Sequence, residues 1–212
     1  MSKFRALIVD FGGVLTTPLQ DSMVAFAESI GIDVQDLARV ALRAYAGSED
    51  TLVTSFETGR ISEREFTLEF AQRLAQETGV EVDPERLVQR IFGGLRLEEG
   101  MLDAVGRARG HGYKTALLSN SWGLDLYPTE RFKDLFDLTV ISGEVGMRKP
   151  DPEIFEHTVK ELGVQASECV FVDDHPGHLK AALDLGITTL LHREPAQTIA
   201  ELEKLLEVPL MS

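Results

Sequence analysis

Short, unbroken apolar runs alternate with longer amphipathic stretches over most of the chain. The segments "ALIVDF" (6–11), "KTALLSN" (114–120) and "CVFVDD" (169–174) are bounded by polar residues or glycine and predict buried strands. "LTVIS" (138–142) and "ITTLL" (187–191) predict two more from weaker patterns. Helical spacing of apolar residues occupies 98–110, 151–163, 177–185 and 196–207. Strands that are apolar throughout and alternate with helices predict an α/β fold, a doubly wound parallel sheet covered on both faces.

The stretch from 17 to 93 departs from this alternation. It carries no convincing strand, and amphipathic periodicity recurs in 19–30, 34–46, 62–78 and 84–92. Ser62 and Glu65 stand at capping-box spacing before "FTLEFAQRL". The expected organisation is an α/β core from 1–16 and 94–212 with an inserted helical unit at 17–93. An insertion directly after the first strand sits at that strand's carboxyl end, where open α/β sheets bind ligands. It therefore reads as a cap over an active site.

Charge narrows the partners. Against 35 Asp and Glu stand 21 Lys and Arg, a net charge of −14, which argues against a nucleic-acid backbone as partner. A small phosphorylated metabolite stays compatible, because a few local cations or a metal override the global field. The single cysteine, Cys169, has no partner for a disulfide or a thiolate zinc site and reads as core. No run approaches the roughly 18 apolar residues of a membrane helix, so no membrane association is expected, and the cytoplasm is the expected location. The pattern sets no oligomeric state.

The chemistry collects at strand ends. The three strongest strands deliver Asp10, then Ser119 and Asn120, then Asp173 and Asp174, and a parallel sheet brings those tips to one edge. "RKPDPEIF" adds Lys149 just before a proline-initiated helix. Singly, each residue reads as a turn former, a helix cap or an exposed charge. Together they supply three carboxylates, a hydroxyl, an amide and an ammonium. Crowded carboxylates stay ionised only beside a cation, so the acidic pair favours a metal site.

In order, "DFGGVLT", "LLSNS", Lys149 within "RKPDPEIF", and "VFVDD" resemble the four motifs of the haloacid dehalogenase-like hydrolases, mostly magnesium-dependent phosphatases. "DFGGVL" and "RKPDPEIF" look most like the branch similar to the epoxide hydrolase N-terminal domain, which carries a small α-helical cap. The resemblance implies a Rossmann-like core and a phosphoric monoester hydrolase. Asp10 would be the nucleophile that forms an aspartyl-phosphate intermediate. It would share Mg²⁺ with Asp174 and the backbone carbonyl of Gly12, with Asp173 as a supporting or alternative ligand. Ser119 and Asn120 would hold the phosphate and Lys149 would offset its charge, with the Lys149–Pro150 peptide bond cis.

Two positions depart from the family pattern. Most such phosphatases carry a second Asp two residues after the nucleophile, as proton donor and base; here that residue is Gly12. Either His175 or Asp21 substitutes for it, or the substrate has a leaving group that needs no proton, or turnover is weak. His178 stands where relatives have Asn or Asp; it reads first as a helix-capping or surface residue and second as a hydrogen-bond partner of Lys149 or the metal shell. Two rival functions fit parts of the pattern: a metal-independent 2-haloacid dehalogenase, whose nucleophile also lacks that second Asp, and a non-catalytic phosphate-binding regulatory module. Arg43, Tyr45 and Arg60 in the cap, and Trp122 in the core, are candidates to reach the cleft.

Overall fold

A computed structural model describes residues 2–45 and 51–211; the Tyr45 side chain and residue 46, the end of one expected helix, lie outside what it describes. In chain order the elements are β1 (Ala6–Val9), α1 (Leu19–Ile30), α2 (Val34–Tyr45), α3 (Leu52–Glu57), α4 (Glu63–Thr78), α5 (Leu87–Phe92), α6 (Glu99–Gly110) and β2 (Lys114–Ser119). Then follow α7 (Thr129–Phe132), β3 (Leu138–Ile141), α8 (Ser142–Val145), α9 (Pro152–Leu162), β4 (Cys169–Asp173), α10 (Pro176–Asp184), β5 (Thr188–Leu191) and α11 (Pro195–Leu206).

All five strands lie parallel in the order β3-β2-β1-β4-β5. Side chains alternate across the sheet, so β1 sends Leu7 and Val9 to one face and Ala6 and Ile8 to the other. The first face packs on α6 and α11 through Met101, Leu102, Val105, Ile199 and Leu202. The second packs on α9 and α10 through Ile154, Phe155, Leu179 and Ala182. Each fully buried Leu or Ile in these layers stabilises the fold by about 1.5–3 kcal/mol. Both faces are covered, as the unbroken apolar strands require.

Helices α9, α10 and α11 each begin with proline, whose missing N–H costs nothing in a first helical turn. Their N-termini thus start sharply after strands β3 to β5 or the loops beyond them, and this fixes the loops that carry the site.

Helices α1 to α5 hold a separate apolar cluster built on Phe26, Leu37, Phe66, Phe70 and Leu87. The Ser62–Glu65 capping box forms and starts α4. The chain enters and leaves this helical segment side by side: Thr16 bridges Leu97, and Thr17 N–H donates to Arg96 O at 2.8 Å.

Two details differ from the sequence reading. The expected helix at 84–92 begins only at Leu87, because Pro84–Leu87 close a turn and Asp83 accepts a hydrogen bond from Glu85 N–H. Helices α3, α7 and α8 are not among the expected elements; at six, four and four residues they are too short to display a period.

Candidate active site

Register sets the site. Val9 is level with Leu117 and Val172, so β1, β2 and β4 end together and present Asp10, Ser119 and Asp173 at one edge. Asp10 and Ser119 open onto a cleft of about 440 Å³ between the sheet edge and the helical segment, while Asp173 stays buried beneath it. Asp10, Gly12, Ser119, Asn120, Lys149, Asp174, His175 and His178 line it, and α1, α3 and α5 contribute Leu19, Gln20, Glu57 and Phe92.

At its floor the Lys149 ammonium, wholly buried, lies 2.8 Å from Asp10 Oδ1 and 2.7 Å from Asp173 Oδ2. Asn120 grips the same residue at its backbone: Asn120 Nδ2 donates to Lys149 O at 2.9 Å, and Lys149 N–H donates to Asn120 Oδ1 at 2.8 Å. The Lys149–Pro150 bond is cis. Burial alone would lower the lysine's pKa, but Asp10 and Asp173 outweigh it and hold the ammonium above its usual value. It is a fixed positive charge.

The acidic residues are not equivalent. Asp173 is saturated: besides Lys149, it meets His178 Nδ1 at 3.1 Å and accepts His175 N–H at 2.7 Å. Burial would raise its pKa, but Lys149 and then His178 hold it well below the usual carboxylate range. Asp10 goes the other way. Burial pushes it up to about 7 despite Lys149, and Asp173 and Asp174 add to the rise. Asp174 is also raised, by burial and then by Asp173. One ammonium does not balance three carboxylates.

A dication would. Asp10, Gly12 and Asp174 line the same cleft, and two carboxylates with a backbone carbonyl are oxygen donors of the kind that suits Mg²⁺. Asp10, Asp173 and His178 also offer atoms within 4.8 Å of one another. Asp173 and His178, however, already engage each other. The Asp174 carboxylate lies directly against Gly13, at a φ of 72°, so a side chain there would displace it.

His178 differs from its first reading. Helix α10 starts at Pro176, which turns residue 178 back to the strand tip and onto Asp173. Of the two candidate proton donors, His175 lines the cleft, whereas Asp21 is exposed on α1 and outside the lining. Trp122 reaches the cleft; Arg43 pairs with Glu77 on the surface, and Arg60 is exposed outside the lining.

Three residues of the site escaped the sequence reading. Tyr127 O–H lies 2.9 Å from Ser119 Oγ. Glu57, buried on α3, accepts from Arg148 Nε at 2.6 Å and ties the helical segment to the loop that carries Lys149. Ser142 Oγ donates to Glu57 O and accepts Ser121 N–H at 2.7 Å. The signal available was weak: Arg148 adjoins Lys149, and Tyr127 follows Ser119 by eight residues.

Comparison with known proteins agrees with the fold. The family described as haloacid dehalogenase-like hydrolase matches residues 4–186. The bifunctional epoxide hydrolase 2 of Sus scrofa is 30% identical over 98% of this chain, which spans 40% of that protein's length. The sesquiterpene phosphatase astK of Aspergillus oryzae is 28% identical over 95% of this chain and 96% of its own. A crystal structure of a HAD family enzyme from Bacteroides thetaiotaomicron, in complex with magnesium and inorganic phosphate, superposes with a TM-score of 0.67 at 26% identity, covering 90% of this chain and 94% of that one.

Proposed function

The chain belongs to the haloacid dehalogenase-like hydrolases, and from that premise we propose that it is a Mg²⁺-dependent phosphatase of small phosphate monoesters with good leaving groups. The observation that carries this reading is the convergence of Asp10, Ser119, Lys149 and Asp174 on one cleft. The phosphatase name of astK and the magnesium and phosphate bound in the Bacteroides enzyme support it. Helices α1 to α5 act as the cap that closes the cleft.

Asp10 Oδ1 is held by Phe11 N–H at 2.7 Å and by Lys149, which leaves Oδ2 to attack phosphorus. A bond forms between Oδ2 and phosphorus as the ester P–O bond breaks, and its electron pair departs on the leaving oxygen. Water then attacks the phosphorus of the aspartyl phosphate, the P–Oδ2 bond breaks with its electron pair returning to the Asp10 carboxylate, and the water's protons leave on the inorganic phosphate released. Lys149 balances the charge that the phosphoryl group brings to Asp10, and Ser119 donates to a phosphoryl oxygen. Asp10, Asp174 and the Gly12 carbonyl would hold Mg²⁺, which when bound would supply further positive charge at the cleft.

Gly12 provides no proton for the leaving oxygen. A positioned acid typically contributes ~10² to 10⁴-fold, or roughly 3 to 5 kcal/mol of barrier. Esters whose leaving groups depart as stable oxyanions, such as aryl, acyl or anomeric phosphates, are the favoured substrates. Phe11, Leu19, Phe92, Trp122 and Leu126 give the cleft an apolar wall suited to an apolar leaving group.

The test is turnover of a graded series of aryl and alkyl phosphates with Mg²⁺ and with EDTA. The proposal expects rates that fall steeply as leaving-group pKa rises, and no rate in EDTA. A flat dependence overturns the leaving-group preference. EDTA-resistant halide release from a 2-haloacid would instead favour the dehalogenase.

A further inference from the structure

Tyr127 belongs to none of the four motifs, yet it is 7% exposed, lines the cleft, and places its hydroxyl 2.9 Å from Ser119 Oγ. Its ring is fixed in place. It packs on Phe11 with centroids 4.8 Å apart, and Phe11, the residue after the nucleophile, meets Phe132 edge-on at 5.8 Å.

We propose that Tyr127 is a positioning residue that donates its hydroxyl proton to Ser119 Oγ and so turns the Ser119 proton toward a phosphoryl oxygen in the cleft. This rests on the phosphatase reading above.

A hydroxyl has one proton to give and two lone pairs to receive. Ser119 Oγ has two protein neighbours that could take its proton, Tyr127 at 2.9 Å and Asn120 O at 3.3 Å. A phenol is a far stronger acid than an aliphatic alcohol, so in the short contact Tyr127 donates and Ser119 accepts. Tyr127 O–H also lies 3.4 Å from Asn120 O, a longer and weaker alternative. Burial raises the Tyr127 pKa, which keeps the donor protonated.

With Tyr127 donating, the Ser119 proton is left with Asn120 O alone, at a distance where hydrogen bonds are weak. A charged phosphoryl oxygen displaces that carbonyl, because charge-assisted bonds are shorter and stronger. The chain from phenol to serine to phosphate then polarises along its length. Without the phenol, Ser119 loses its fixed orientation.

Tyr127→Phe removes only the hydroxyl. Two readings are taken in wild type and in Ser119→Ala, each with Mg²⁺: calorimetric affinity for inorganic phosphate, and kcat and KM for phenyl phosphate. Tyr127→Phe is expected to weaken phosphate binding and raise KM about 5- to 10-fold, with kcat within about twofold, since a hydrogen bond kept in ground and transition states is uniform binding. In Ser119→Ala the same substitution is expected to change both readings less than about twofold. Unchanged phosphate affinity, or an equal loss in both backgrounds, overturns the proposal and leaves Tyr127 a packing residue. Wild-type protein that neither binds phosphate nor hydrolyses phenyl phosphate overturns the phosphatase reading and this one with it.

Discussion

A Cβ on Gly12 would stand 3.2 Å from Cδ2 of Leu19 and 3.3 Å from its Cδ1. The space into which an acid at residue 12 would project is bordered by an apolar side chain from α1. Gly12→Asp is therefore expected to raise turnover of alkyl phosphates modestly, since Leu19 must yield by a few tenths of an ångström. Gly12→Asp with Leu19→Ala should approach the ~10²-fold of a positioned acid. Initial rates on an alkyl and an aryl phosphate check this, and an equal gain on both would show that protonation was not the deficit.

Lys149 joins two buried carboxylates, so its removal leaves charge without a counter-ion. Lys149→Met is expected to abolish turnover and to destabilise the fold by about 3–5 kcal/mol, the usual effect of stripping one partner from a buried ion pair. Urea unfolding of the metal-free protein measures it.

Asp174 crowds Asp10 and Asp173. Asp174→Asn relieves that repulsion, so in EDTA the variant should unfold at a higher temperature than wild type. Adding Mg²⁺ should raise the wild-type midpoint and leave the variant's unmoved, and the variant should not turn over. Thermal scans with and without Mg²⁺ separate the two effects.

The Glu57–Arg148 pair fastens α3 to the loop before Lys149, and Glu57 is 1% exposed. Arg148→Leu removes this ion pair and is expected to destabilise the fold, read as a lower urea midpoint. A shift of the urea midpoint under 0.5 kcal/mol equivalent, roughly the scatter of surface changes, would mean the pair does not hold the two parts together.

His192, nearly buried, sits 2.9 Å from Thr198 Oγ1, and burial, partly offset by Glu194, holds its pKa below the ordinary histidine value. The unfolded chain therefore takes up this proton first as pH falls, and the fold loses stability below a pH of about 6.5. His192→Gln should flatten that loss between about pH 7.5 and 5.5 in urea titrations.

Strands β1, β2 and β4 were legible because each is covered on both faces and so reads as unbroken apolar sequence. Edge strands β3 and β5 were fainter for a physical reason: β5 is only half-buried along its length, and β3 exposes Thr139. The motif residues could be read because strand tips in a parallel sheet share one edge. Tyr127 and the Glu57–Arg148 pair could not, since their partners are fixed by how α3 and the 124–128 loop fold over the sheet. For His178 the structure favours the second of its two readings, a hydrogen-bond partner within the site, over a helix-capping or surface role, and nothing local signals that α10 turns its first residues back to Asp173.

The proposed mechanism stands on Asp10 as the nucleophile of a Mg²⁺-dependent phosphatase. Its most direct test is hydrolysis of phenyl phosphate by wild type and Asp10→Asn with Mg²⁺, after circular dichroism shows both folded. Wild type is expected to turn over and the variant to lose at least ~10³-fold, since removing a covalent nucleophile leaves only binding and charge stabilisation. Full activity in Asp10→Asn would contradict that mechanism.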